Sequence, residues 1–160
     1  MYNAAMKKLD ATNRKILEIL QDNGAITNSD LAGLIGLSAA STLERVKKLE
    51  KNGFITQYVA LVDPEKVGKG LTAFMEISIA DHSSEALQVF LDAISTIPEI
   101  LECHHITGEK DYILKVVTED VQSYEKLAVE KVAKIPHIGR VNTMIVLSTK
   151  KQLTAIPLNS

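Results

Sequence analysis

The sequence predicts an α+β protein, helical in its first third and β-rich thereafter, and three observations carry this. Apolar residues recur at helical spacing in three short segments before Gly53, separated by capping residues and glycines. A β-rich run fills 54–62. Beyond residue 70, strand and helix periodicities alternate in the order βαββαβ. The division that follows is a helical domain at 1–53, a β linker at 54–70 and a βαββαβ domain at 71–160.

The first helix covers Leu9 to Leu20, where Leu9, Ile16, Leu17, Ile19 and Leu20 sit among polar residues, Asp10 caps the start and Gly24 ends the segment. The second opens at Thr27, Asn28 or Ser29, carries Leu31, Leu34 and Ile35 on one face and stops at Gly36. Ser38 caps a third helix that runs to Lys51, with Leu43, Val46 and Leu49 facing inward and Asn52-Gly53 closing it.

Phe54 to Val62, closed by Asp63-Pro64, reads as a strand-like linker able to pair between subunits. Leu71 to Ala80 alternates, with Met75, Ile77 and Ile79 on one face and Glu76 and Ser78 on the other. Ser83 or Ser84 caps a helix bearing Ala86, Leu87, Phe90, Leu91 and Ile94, which ends before Pro98. Two strands, Ile100 to Thr107 and Tyr112 to Thr118, flank the hairpin connection Gly108-Glu109-Lys110-Asp111. A helix from Val121 to Ile135 aligns Tyr124, Leu127, Ala128, Val132 and Ile135, Pro136 breaks it, and Ile138 to Thr149 supplies the last strand. This order is the split βαβ, ferredoxin-like arrangement of four antiparallel strands with both helices on one face. Ile, Val and Leu on both sides of several strands predict that a second copy covers the other face, giving a dimer.

Composition narrows the class. With 46% hydrophobic and 24% charged residues the chain has globular composition, and no run reaches the ~20 apolar residues of a membrane helix. Met1 to Lys15 lacks an apolar signal core, so a cytoplasmic protein without membrane contact is expected. The single cysteine, Cys103, forms no internal disulfide and no thiolate cluster, and reads as a core thiol. His104 and His105, as neighbours on a strand, point to opposite faces and do not hold one metal together; one is expected buried and the other at solvent. His82 and His137 sit at turns without visible partners. No hydrolytic triad, phosphate-binding glycine loop or paired-carboxylate site has recognisable spacing, so no catalytic residue, cofactor or metal is assigned.

Charge is uneven. Residues 1–60 hold eight Lys/Arg, Lys7 and Lys8 among them, against six acids, whereas 61–160 are net negative by four. The second and third helices, joined by the Gly36-Leu37-Ser38 turn, have the form of a helix-turn-helix, whose third helix lies in the major groove of double-stranded DNA. Ala39, Ala40, Ser41 and Thr42 are small enough for close approach to base edges, and Ser38, Ser41 and Thr42 can donate or accept there. Arg45, Lys47, Lys48 and Lys51 supply cations for phosphates, Arg45 ranking first. Two plainer readings stand beside this: a solvated helix of a three-helix bundle, and an Arg45 paired with Glu44 or Glu50.

Leu9-Asp10 with Ile16-Leu17, then Leu37-Ser38, Leu43-Glu44-Arg45-Val46, Leu49-Glu50 and Gly53-Phe54-Ile55, resemble the DNA-binding half of the leucine-responsive regulatory protein and asparagine regulator (Lrp/AsnC) family. Glu102-Cys103-His104, Thr107-Gly108 to Asp111-Tyr112 and Ile156-Pro157-Leu158 resemble landmarks of its effector-binding half, so the likeness spans Lys8 to Leu158. It implies a winged-type helix-turn-helix domain followed by an ACT-like βαββαβ domain. Two departures stand out: Asn13 replaces a usual acid, and Ala39 and Ala40 replace proline or hydroxyl residues, which shifts the expected recognition toward DNA shape and phosphates.

The resemblance implies a transcription regulator tuned by a small amino-acid effector, and a homodimer assembling to an octamer. It places the effector at Thr107, Gly108, Glu109, Asp111 and Tyr112, with Asn142 and Thr143 as a second wall. The chemistry suits this: Gly108 lets backbone N–H groups approach a carboxylate, Thr107 adds a hydroxyl and Asp111 balances an ammonium. A hairpin whose Gly and Asp merely make the bend explains the same residues. The rival it also implies is an enzyme, since some relatives with this layout are sirohaem decarboxylases in which histidines assist at a tetrapyrrole; His104 and His105 keep that open, and the cationic third helix speaks against it. A third reading is a ligand-binding module that controls a partner enzyme without touching DNA.

Overall fold

Each helix of the N-terminal part begins where a short polar side chain satisfies the free backbone N–H groups of its first turn. The computed structural model describes residues 9–158, so Lys7, Lys8 and the start of the expected 1–53 domain lie outside it. Helix α1 (Ala11–Asp22) is capped by Asp10, α2 (Asn28–Ile35) by Thr27 and α3 (Ala39–Lys51) by Ser38. Gly36 ends α2 in the left-handed conformation, φ +73°, which compresses the turn into α3. Asn28 Nδ2 donates to Ala39 O at 2.8 Å and Lys15 Nζ to Leu34 O at 2.7 Å, fixing α2 against both neighbours.

The chain divides into two compact units, Met1–Leu61 with Lys151–Ser160, and Val62–Lys150. The first has its own core of Ile16, Leu17, Leu31 and Leu49, against which Val46, Ile55 and Leu158 pack. The expected inner face of α3 is corrected by one position: Thr42 and Leu49 are the buried residues and Leu43 is exposed. Thr42 tolerates this because its Oγ1 donates to Ser38 O at 2.9 Å. The run 54–62 forms no strand in this chain, since no neighbouring segment offers it a ladder. Its first part instead belongs to the helical unit, where Tyr58 Oη donates to Glu50 Oε1 at 3.0 Å. The tail after Lys150, grouped by sequence with the second domain, also belongs to the first unit. Gln21 Nε2 donates to Ile156 O at 3.1 Å and Ile156 N to Gln21 Oε1 at 2.6 Å.

The second unit is the βαββαβ sheet. Strands β1 (Leu71–Ile79), β2 (Ile100–His105), β3 (Tyr112–Thr118) and β4 (Ile138–Ile145) pair antiparallel in the order β2-β3-β1-β4. Alternate residues of β1 and β3 are buried, and Ala73, Met75, Ile77, Leu114 and Val116 meet Phe90 and Ile94 of α4 (Ser84–Ser95) and Tyr124 of α5 (Val121–Lys126) on one face. Full burial of each large apolar side chain contributes about 1.5–3 kcal/mol. The other face presents Phe74, Ile113, Val117 and Met144 beside Glu76, Lys115 and Asn142.

Two elements are shorter than the sequence predicts. β4 stops at Ile145 rather than Thr149, after Val146 N donates a last bond to Thr72 O. The expected helix Val121–Ile135 is α-helical only to Lys126, then passes through a π turn (Leu127–Lys131) and a 3-10 turn (Val132–Lys134). The buried residues explain it: Leu127 and Val132 are five apart, and an i→i+5 turn brings both onto the sheet.

Candidate functional site

Burial divides α3 by residue. Ser38, Ala39, Ala40, Lys47, Lys48 and Lys51 are exposed, Ser41 is half-buried, and none of the three lysines has an ion pair among the described residues. The Ser38 hydroxyl accepts from Ser41 N at 3.2 Å, so it serves the helix start as well as the surface. Thr42, expected at base edges, is fully buried and is removed from the accessible set. Arg45 is half-buried: its Nη1 donates to Asp10 Oδ2 at 2.8 Å and Asn13 Oδ1 at 2.9 Å. Neither Glu44 nor Glu50 is its partner. The guanidinium therefore ties the start of α1 to α3, and with the Asn13 N–H it holds the Asp10 carboxyl below its ordinary range. Sequence reasoning misses this clamp because 35 residues separate its ends, and only the unusual Asn13 hints at it.

At the other candidate site Gly108 has φ +124° with open space where a Cβ would stand, so backbone conformation alone demands glycine. Thr107 and Glu109 beside it are exposed. The Asp111 carboxylate is already engaged: Oδ2 accepts from Ile79 N at 2.7 Å, and His82 Nε2 lies 3.0 Å from Oδ1. The Ile79 N–H first, and His82 second, hold its carboxyl below the usual range. Its backbone continues the task, N donating to Ile77 O and O accepting from Ile106 N, each at 2.9 Å. The ring of Tyr112 is buried in the core, 4.9 Å from Phe90 and stacked at 4.9 Å on His105.

Asn142 and Thr143 do not form one wall. Asn142 Nδ2 donates to Glu76 Oε2 at 2.9 Å on the open face, whereas Thr143 shares a short hydrogen bond with Tyr124 on the helix face. The strand alternation that separates them also separates the histidines: His104 pairs with Glu102 on the open face while His105 stacks on Tyr112. Both histidines are exposed, against the expectation that one is buried. His82 and His137, expected without partners, face Asp111 at 3.0 Å and Asp81 at 3.7 Å. Cys103 is half-buried against the core, and burial pushes its thiol up. No group of three His, Cys, Asp or Glu residues among those described is placed to hold a metal, and no described helix is long and apolar enough to cross a membrane.

Residues 9–56 match the family model for a winged helix-turn-helix DNA-binding domain, and residues 72–156 match the Lrp/AsnC ligand binding domain. Over 151 residues the chain is 36% identical to the transcriptional regulator AzlB of Bacillus subtilis, covering 94% of this chain and 96% of that protein. It is 37% identical over 146 residues to the leucine-responsive regulatory protein of Escherichia coli, covering 91% of this chain and 89% of that one. Among solved structures, the transcriptional regulator NMB0573 of Neisseria meningitidis in complex with L-Met superposes with a TM-score of 0.91 at 36% identity, covering 95% of this chain and 98% of that one. Matched along both halves, the chain belongs to the Lrp/AsnC family of DNA-binding transcription regulators.

Proposed function

We propose that this regulator reads DNA with the outward side of α3 and is tuned by an amino acid held at the Thr107–Asp111 hairpin. The observation that carries the first half is the set of exposed cations Lys47, Lys48 and Lys51, without an ion pair among the described residues, behind the small residues Ala39, Ala40 and Ser41. The lysines neutralise phosphates, the small residues and Ser38 approach base edges, and Arg45 holds the helix at its working angle. For the second half, Gly108 exposes backbone N–H groups to a carboxylate, Thr107 and Glu109 supply polar side chains, and Asp111 fixes the hairpin. The L-Met complex of a protein alike over nearly its whole length supports an amino acid as the ligand.

The apolar residues on the open sheet face support a dimer through that face, and the family supports further assembly to an octamer in the cytoplasm. An effector that favours one assembly changes which spacing of DNA half-sites is engaged together. The chain acts by binding and carries out no reaction.

The test is a mobility-shift titration on the chain's own upstream DNA and on unrelated DNA, with and without each of the twenty amino acids, with sedimentation of the same samples. The expected result is a specific shift altered by one or a few amino acids together with a change in assembly. Equal affinity for both DNAs under every condition overturns the reading.

A further inference from the structure

Polar contacts join α1, α2 and α3 pairwise. Arg45 of α3 holds Asp10 and Asn13 at the start of α1, at 2.8 and 2.9 Å. Lys15 of α1 donates to Leu34 O at 2.7 Å, near the C-terminal end of α2, where the free carbonyls of a helix favour a cation. Asn28, the first residue of α2, donates through Nδ2 to the carbonyl of Ala39, the first residue of α3, at 2.8 Å. Together these contacts close a ring from α1 to α2 to α3 and back.

The core beneath α3 does not by itself fix how that helix is turned. Val46 and Leu49 pack through apolar contacts, which are non-directional and tolerate a small rotation or slide. Hydrogen bonds are directional, and they hold α3 at two points, Ala39 and Arg45, roughly 9 Å apart along the axis at ~1.5 Å per residue. Two points fix a direction as well as a place. Asn28 is not needed for the start of its own helix. Thr27 caps α2, its Oγ1 accepting from Asp30 N at 3.1 Å and donating to Asp30 Oδ2 at 2.6 Å. Asparagine is also a poorer helix former than alanine, so the half-buried Asn28 side chain serves α3 rather than α2.

On the reading that α3 enters the major groove, we propose that Asn28 is a positioning residue for DNA recognition: by holding the first turn of α3 it sets how closely Ala39, Ala40 and Ser41 approach base edges. The chemistry of that turn makes its position matter. Ala39 and Ala40 have no hydrogen-bonding side chain, so they read bases by apolar contact, as with a thymine methyl, or by fit. A gap of about 0.5–1 Å already forfeits a quarter to a half of such a contact. The exposed lysines farther along α3 have long flexible stems and follow phosphates through the same shift. Loss of the Asn28 bond therefore lowers discrimination between sequences and leaves the general attraction to DNA.

The test uses the full-length chain, the sites it selects from randomised duplex DNA, and an unrelated duplex. Asn28→Ala and Asn28→Leu are each expected to lower the ratio of selected-site to unrelated affinity roughly 2- to 10-fold, the range for one hydrogen bond. Affinity for the unrelated duplex and the slope of log affinity against log salt are expected to stay at wild-type values. The melting temperature of Asn28→Ala is expected to change little, since the better helix former offsets the lost bond. An unchanged ratio in Asn28→Ala overturns the positioning role, as does a wild-type ratio in Asn28→Leu, which fills the space without a donor. So does a uniform loss on both DNAs or a lower salt slope, which would make Asn28 a phosphate contact. If the wild-type chain selects no sequence, the reading of DNA by α3 falls, and the role of Asn28 with it.

Discussion

The outer side of α3 and the Gly108 hairpin spend their polar groups in opposite ways. On α3 the three lysines reach solvent without partners among the described residues, whereas Arg45 binds Asp10 and Asn13 inside the same unit. At the hairpin the carboxylate expected to meet a ligand is bound to Ile79 N–H and His82, and the aromatic ring beside it is in the core. On the proposed function, the contrast follows from the partners the two surfaces would meet. Phosphates are met by mobile, solvated charges whose counterions are released on contact. A small ligand is met by a loop whose shape is fixed beforehand, which lowers the ordering cost of binding.

The largest effect belongs to the lysines. Replacing Lys47 and Lys48 together by Ala is expected to weaken DNA binding roughly 10- to 100-fold at moderate salt and to lower the slope of log affinity against log salt by about 1.8, at ~0.9 per phosphate. The melting temperature is expected to stay where it was, because neither side chain has a hydrogen bond or ion pair among the described residues. A steep, unchanged slope in mobility shifts across a salt series would break the comparison at its first term.

Asp111 sharpens the second term. Asp111→Ala leaves the Ile79 N–H and His82 without their acceptor, which costs about 1–3 kcal/mol and lowers the melting temperature at fixed protein concentration. Because the folded carboxyl titrates below its unfolded value, its stabilisation is complete above the ordinary carboxylate range and is lost as pH falls through the lowered folded value. Asp111→Asn keeps an oxygen for Ile79 but does not titrate, so its melting temperature is expected to fall less steeply than wild type between pH 7 and about pH 3. Parallel pH curves would show that the charge at this position does not stabilise the fold.

Legibility followed the range of the interaction. Caps, glycine stops and strand alternation act within a few residues: Asp10, Gly36 and Ser38 are where the pattern placed them, and Thr27 and Ser83 are each one of the caps it offered. The Asp10–Arg45 and Asp111–Ile79 contacts join residues more than thirty apart and leave no periodic trace. Thr42 is an intermediate case. Thr42, Val46 and Leu49 are as regularly spaced as Leu43, Val46 and Leu49, and only the bond to the Ser38 carbonyl makes a hydroxyl acceptable inside. The separation of Asn142 from Thr143 was available from alternation alone, by the same rule already applied to His104 and His105.

Arg45 decides whether an engaged cation still counts as a DNA contact. If it is a clamp, Arg45→Ala removes two hydrogen bonds at partly exposed positions, costs about 0.5–1 kcal/mol of stability and leaves the salt slope unchanged. A slope lower by about 0.9 with an unchanged melting temperature would return it to the phosphate-binding set and weaken the contrast between α3 and the hairpin.

Thr42 gives the smallest effect and the cleanest separation of fold from recognition. In Thr42→Val the side chain keeps nearly its shape but loses the Oγ1 donor, while Ser38 O retains its bond from Thr42 N at 2.9 Å. No buried acceptor is orphaned, so the cost is expected near the lower end for a hydrogen bond, about 0.5–1 kcal/mol. Because the hydroxyl is enclosed within the helical unit, the ranking of operator sequences in a competition assay is expected to match that of wild type. Relaxed preference at a single base position, without a general loss of affinity, would mean that Thr42 turns outward on DNA and that the burial of α3 changes when it binds.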